Sequence, residues 1–74
     1  MTYQSKIESN PAVLLGKPAI KGTRISVELI LRKLSEGASI EDLLISYKNI
    51  EKSDILACLE YSAEVLASEE LIEA

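Results

Sequence analysis

Residues 26–67, SVELILRKLSEGASIEDLLISYKNIEKSDILACLEYSAEVLA, decide the fold of this chain. In their first part, apolar residues recur three and four positions apart, which places them on one face of a helix over residues 26–36. Ser26 stands where a helix N-cap is expected, and Gly37 stands where a helix ends. The stretch therefore begins with an amphipathic helix.

Two further helices follow. Ser39 and an acid three residues later form a capping-box pattern, which predicts a helix over about 40–47. A third helix is expected over residues 52–67, and its predicted core stripe is Ile55, Leu59, Ala63 and Leu66. A second apolar stripe gives this helix a larger apolar surface than two short helices can cover. We therefore expect a contact with a second copy through Leu56, Leu59 and Ala63.

Residues 1–25 hold both prolines and two of the three glycines, which excludes a long helix there. Short strands are predicted at Thr2–Ile7 and Pro18–Lys21, with a turn at Asn10-Pro11 between them. The fold class is thus mainly α, with three helices in a helix-turn-helix pattern behind a short N-terminal β ribbon. The same pattern also occurs in other small helical bundles.

Everything in the chain fits one domain, because 74 residues bury a small core. The ribbon or arm is assigned to residues 1–25, the three helices to 26–67, and an acidic tail or helix extension to 68–74. A core this small favours a homodimer. No secretory signal and no apolar run of membrane-spanning length stands in the sequence, so a cytoplasmic location without membrane contact is expected.

The sequence contains few residues that could support catalysis. The chain has no histidine and one cysteine, Cys58, so neither a zinc cluster nor a Cys–His pair can form. We expect Cys58 to be a small buried residue. The sequence therefore predicts no enzyme, no metal, no cofactor and no small-molecule substrate.

Charge is divided unevenly along the chain. The net charge is −4, but residues 1–33 carry six basic and two acidic side chains, whereas residues 34–74 carry two basic and ten acidic ones. Such a split suggests two surfaces with different partners.

The segment from Gly16 to Arg24 offers cations, a hydroxyl and backbone N–H groups to phosphate oxygens. Four DNA contacts are predicted there: Lys17, Lys21, Thr23 and Arg24. A solvated loop with Arg24 paired to an acid is the alternative. Lys52 and Ser53, at the start of the third helix, are expected to assist, although Glu51 and Asp54 beside them would repel phosphate.

The acidic end of the chain also contains apolar residues. We expect it to dock on a basic groove of another protein through Leu66, Glu69, Glu70, Leu71 and Ile72. A solvated helix end is the alternative.

Several of these segments resemble one bacterial and archaeal family, domain of unknown function 433. The similar stretches are Ile7–Pro11, Gly16–Val27 and Gly37–Leu44, followed by Asp54-Ile55 with Ala57, Leu59, Glu60 and Tyr61. The resemblance covers about residues 7–64. Gly16-Lys17-Pro18 followed by Gly22-Thr23-Arg24-Ile25 is its most specific part. Three departures stand out: Leu15 where a glycine is frequent, Lys48-Asn49 in place of Pro-Gly, and Glu51 in place of a capping hydroxyl residue.

The resemblance implies a dimeric, winged-helix-like helix-turn-helix protein. It further implies a VapB-like antitoxin, which neutralises a PIN-like ribonuclease toxin and binds its own operator DNA to regulate transcription. The net charge of −4 favours a rival hypothesis, a protein-interaction module or stand-alone regulator without sequence-specific DNA binding.

Overall fold

The chain forms three helices and a two-stranded antiparallel ribbon, in a computed structural model that describes residues 3–70 and the side chains of residues 4–68. A 3₁₀ turn precedes the ribbon. The elements in chain order are the 3₁₀ turn Tyr3–Ser5, β1 Ile7–Asn10, β2 Val13–Ile20, α1 Val27–Ser35, α2 Ile40–Ser46 and α3 Lys52–Glu70. The predicted combination of three helices with an N-terminal ribbon is confirmed.

The ribbon register is set by burial of one isoleucine on each strand. Ile7 of β1 lies opposite Ile20 of β2, and both side chains are buried against the helices. The predicted turn at Asn10-Pro11 is confirmed, and the Asn10 side chain accepts a hydrogen bond from the Ala12 N–H at 2.9 Å. The first strand was predicted too early: it begins at Ile7, the first residue that reaches the core, and a 3₁₀ turn precedes it.

A bulge interrupts β2 close to the ribbon tip. Asn10 pairs with Val13 but Ser9 pairs with Pro18, so four residues of β2 have no opposite partner. Two of them, Leu14 and Leu15, have φ of 53° and 58°, in the left-handed region that L-residues with a large side chain avoid. The Leu15 side chain is 94% exposed at this bulge.

The helix starts follow the sequence closely. The Ser26 hydroxyl accepts a hydrogen bond from the Leu29 N–H at 3.0 Å and caps α1. Ser39 and Asp42 form both bonds of a capping box at α2, at 3.0 and 2.9 Å. Gly37, with φ of 105°, turns the chain between the two helices. Side-chain caps therefore fix where α1 and α2 begin.

The core lies where the three helices meet each other and the ribbon. α1 packs against α2, α3 and β2, and α3 packs in addition against β1 and the 3₁₀ turn. Ile30, Ile55 and Cys58 are its most deeply buried side chains. Other core residues are Ile7, Ala19, Ile20, Ile25, Val27, Leu43, Ile50 and Ala57. The ribbon is thus an integral part of one small core.

The core stripe predicted for α3 is wrong beyond Ile55. Leu59, Ala63 and Leu66 are exposed, and the buried face instead carries Ala57 and Cys58. Two apolar stripes run along this helix, and the sequence alone does not say which one the short helices cover. α3 also continues to Glu70, beyond the predicted end at residue 67.

None of the helices in residues 3–70 combines the length and the apolar character that a membrane crossing requires.

Candidate nucleic-acid interface

The turn that leads from β2 to α1 holds its shape through Thr23. The Thr23 hydroxyl donates to the Ile20 carbonyl at 2.8 Å and accepts from the Ile25 N–H at 3.0 Å. The Thr23 N–H also donates to Ile20, and Gly22 supplies the left-handed residue, with φ of 81°. The hydroxyl predicted to contact DNA is therefore already engaged inside the turn.

Two cations of the same turn are open to solvent. Lys21 and Arg24 are exposed, and within the described part of the chain their side chains form no hydrogen bond and no ion pair. The alternative interpretation, in which Arg24 pairs with an acid of the C-terminal half, has no counterpart among the described residues. Both cations remain available to an anionic ligand.

Lys6 joins this turn to the start of α3. Its backbone carbonyl accepts a hydrogen bond from the Lys21 N–H at 2.7 Å, and its ammonium lies 3.6 Å from the Asp54 carboxylate. The turn and the first turn of α3 therefore meet at one end of the molecule. Lys6 is not among the residues predicted from the sequence, and no local pattern marks it, because both contacts connect distant parts of the chain.

The start of α3 presents less negative charge than its sequence indicates. Asp54 is buried: one carboxylate oxygen faces Lys6, and the other accepts from the Glu51 N–H at 2.8 Å. This second bond is half of a capping box, so Asp54 stabilises the helix start in place of a capping hydroxyl. Lys52 is exposed and Ser53 half-buried beside it. The predicted repulsion of phosphate by Asp54 is therefore weakened by its burial and pairing.

Lys17 belongs to a different surface. Its ammonium lies 3.2 Å from the carboxylate of Glu28 on α1, which also binds Arg32 at 3.0 Å. Hydrogen bonds from Lys17 and Arg32 hold the pKa of Glu28 below its ordinary value. Three residues lie between Lys17 and Lys21, and four steps of extended chain span about 13 Å. The structure thus divides the predicted cationic segment into a paired end and an unpaired end.

The residues predicted to contact a second copy lie on an exposed face of α3. Leu56 is 43% exposed, Leu59 is 39% exposed, and Ala63 is exposed as well. Leu66, predicted to bind a partner protein, is exposed in the next turn. Of the other partner-binding predictions, Glu69 and Glu70 fall in the last turn of α3 without described side chains, and Leu71 and Ile72 lie outside the described residues.

Cys58 is buried at the centre of the core, as predicted. Desolvation, with a smaller contribution from the nearby Asp54 carboxylate, raises the pKa of its thiol to about 11. The thiol is therefore protonated near neutral pH and screened from reagents.

Comparison with known proteins identifies one family and one solved structure. The family model "Protein of unknown function (DUF433)" matches residues 7–62. A crystal structure of a DUF433 member protein from Anabaena variabilis ATCC 29413 superimposes with a TM-score of 0.79 and 30% sequence identity, over 82% of this chain. The chain spans 60% of the length of that protein. No curated protein matches the chain.

Proposed function

The chain belongs to the DUF433 family of proteins of unknown function, and from that premise we propose that it is an antitoxin-like, DNA-binding regulator. In this proposal α2 and α3 form a helix-turn-helix, and the β2–α1 turn binds the DNA backbone beside it. The protein would act in the cytoplasm as a homodimer that contacts operator DNA and a PIN-like ribonuclease toxin.

The connection between α2 and α3 supports the helix-turn-helix part. α2 is a seven-residue helix, α3 begins after residues 47–51, and both helices pack against α1. A short helix, a tight connection and a longer helix are the elements of this motif, in which the N-terminal residues of the second helix reach base edges. Lys52 and Ser53 occupy those positions.

The observation that carries the proposal is the contact of Lys6 with both the turn and α3. Through Lys6, the unpaired cations Lys21 and Arg24 lie at the same end of the molecule as Lys52. Sequence-independent affinity for DNA comes chiefly from cations against phosphates. Three exposed cations at one end could therefore bind phosphates although the net charge of the chain is −4, because the acids are concentrated in residues 34–74, which carry ten acidic and two basic side chains.

The experiment measures binding of a labelled duplex from upstream of the gene by fluorescence anisotropy at several salt concentrations. We expect the double variant Lys21→Gln, Arg24→Gln to lower the slope of log affinity against log salt by about 2, because each phosphate contact contributes about 0.9. The matched control is Lys17→Gln, Lys33→Gln, which removes the same charge from the α1 side. We expect the control to change the slope by less than about 1.

Equal losses in the two double variants would assign binding to overall charge alone. Absence of binding by the natural chain would leave the rival hypothesis, a protein-interaction module, which the acidic half of the sequence favours. The same variants, coexpressed with the adjacent reading frame, test the antitoxin part separately. Neutralisation of that product should survive loss of DNA binding, because the proposed toxin contact uses Leu66 and the acidic end of α3.

A further inference from the structure

An open apolar groove of about 530 Å³ lies between α1 and the C-terminal half of α3. Its walls include Val27 and Leu31 of α1 and Tyr61 and Val65 of α3, with Pro18 of the ribbon beside them. α1 has nine residues and α3 nineteen, so α3 is about 15 Å longer at 1.5 Å per residue. The groove forms where the longer helix continues and leaves Val65 41% exposed.

The same chain also has one apolar side chain, that of Leu15, which is almost fully exposed. Leu15 is 94% exposed at the ribbon bulge, on a backbone with φ of 58° that glycine would adopt more easily. Residues 9–16 around it contain no charged side chain. Such a tip can enter an apolar groove without removing a charge from water.

The tip and the groove adjoin each other along β2. Pro18, in the groove wall, is three residues from Leu15 on the same strand. Lys17, between them, is held by Glu28, which also lines the groove. When a projection and a cavity are close neighbours in one chain, two copies can exchange them about a two-fold axis and close the assembly.

We propose that Leu15 of one copy inserts into the α1–α3 groove of a second copy, and that the second copy makes the same contact in return. Each protomer thereby fills the groove of the other protomer with its own Leu15 side chain. This contact is distinct from the predicted one through Leu56, Leu59 and Ala63, because Leu59 lies about 120° around the helix axis from Val65. It does not depend on DNA binding.

Disulfide trapping tests the geometry directly. Leu15→Cys and Val65→Cys proteins, oxidised by copper–phenanthroline, should form a disulfide-linked dimer when mixed and little when oxidised separately. The buried Cys58 thiol does not compete, because its pKa is about 11 and its side chain is screened. The matched control replaces Val65→Cys by Leu59→Cys. Preferential trapping of Leu15→Cys with Leu59→Cys would overturn the proposal.

Sedimentation equilibrium gives the second measurement. Leu15→Asp and Val65→Asp should each raise the dimer dissociation constant about tenfold or more, whereas Leu59→Asp should change it less. Both side chains are exposed in one copy, so circular dichroism should show the native fold in each variant. A monomeric natural chain, or a dimer that only Leu59→Asp dissociates, would overturn the proposal.

Discussion

Leu15 has a backbone conformation that leucine disfavours. Its φ of 58° lies in the left-handed region, which glycine enters without a steric penalty and leucine does not. A leucine there costs about 1–2 kcal/mol. The proposed contact with a second copy uses this exposed leucine.

Replacement of Leu15 by glycine should therefore stabilise one copy of the chain. Relief of the left-handed conformation, less the greater freedom of glycine in the unfolded chain, leaves a gain of about 0.5–1 kcal/mol in the free energy of unfolding. Urea unfolding at a protein concentration too low for association measures it. The control Ala12→Gly, at a residue without positive φ, should give no gain. Equal loss of stability in both variants would contradict the strain at Leu15.

Thr23 has a structural role in the turn between β2 and α1. Thr23 is predicted from the sequence to contact DNA because its hydroxyl stands among cations. The structure shows a hydroxyl that donates to Ile20 and accepts from Ile25, and so shapes the turn that presents Lys21 and Arg24. Its contribution to the proposed interface is to position those cations.

Among the elements, α2 depends most on its cap, because seven residues make few helical hydrogen bonds. Both bonds of the Ser39–Asp42 capping box are present. Hydrogen bonds from Ser39 lower the pKa of Asp42 from 3.8. The bond from the Ser39 backbone has the larger effect, and the bond with its side chain has the smaller one. Ionised Asp42 therefore favours the folded state.

Two variants test this cap by urea unfolding. Ser39→Ala should lower the free energy of unfolding by about 1 kcal/mol at neutral pH. Since the folded pKa of Asp42 is depressed, its ionic contribution is complete above the unfolded value of 3.8 and is lost as pH falls through the folded value. Asp42→Asn should flatten this acid loss of stability, and Glu41→Gln provides the charge-matched control. An unchanged acid profile in Asp42→Asn would rule out the carboxylate bond.

For α3, the periodicity of the apolar residues does not determine which face of the helix is buried. Its apolar residues form two stripes, and the repeat distance is the same for both. Only the position of α1, α2 and β1 selects the face with Ala57 and Cys58 and leaves Leu59 exposed. The boundary at Lys52 was predictable, because helix-start acids precede the apolar run.

For the molecule as a whole, Cys58 reports on cooperative unfolding. It is among the most deeply buried side chains, where α3 meets the rest of the core, and its thiol pKa is about 11. Labelling by a thiol reagent should therefore require global opening. We expect the labelling free energy to equal the free energy of unfolding from urea denaturation, within about 0.5 kcal/mol.

A second thiol supplies the control for that measurement. The exposed variant Ile45→Cys should label at the rate of a free peptide thiol, because Ile45 on α2 is 71% exposed. Rapid labelling of Cys58 in the natural chain would instead show that α3 opens locally while the remaining helices stay folded.

The sequence by itself determined the local features of this protein: the three helices, the caps Ser26 and Ser39, the turn at Asn10-Pro11 and the burial of Cys58. Each depends on side chains and backbone groups only a few residues apart, or on the apolar character of one residue. It also indicated the family, through motifs around Gly16–Val27 that the match over residues 7–62 supports.

Only the tertiary structure decided which stripe of α3 is buried, that Lys17 pairs with Glu28, and that Lys6 joins the turn to Asp54. These contacts connect residues at least eleven positions apart, and their partners are set by how the ribbon and helices pack. Local periodicity carries no information on that packing. The groove beside Val65 and the exposed Leu15 follow from the same cause, since both are defined by what the packed chain leaves uncovered.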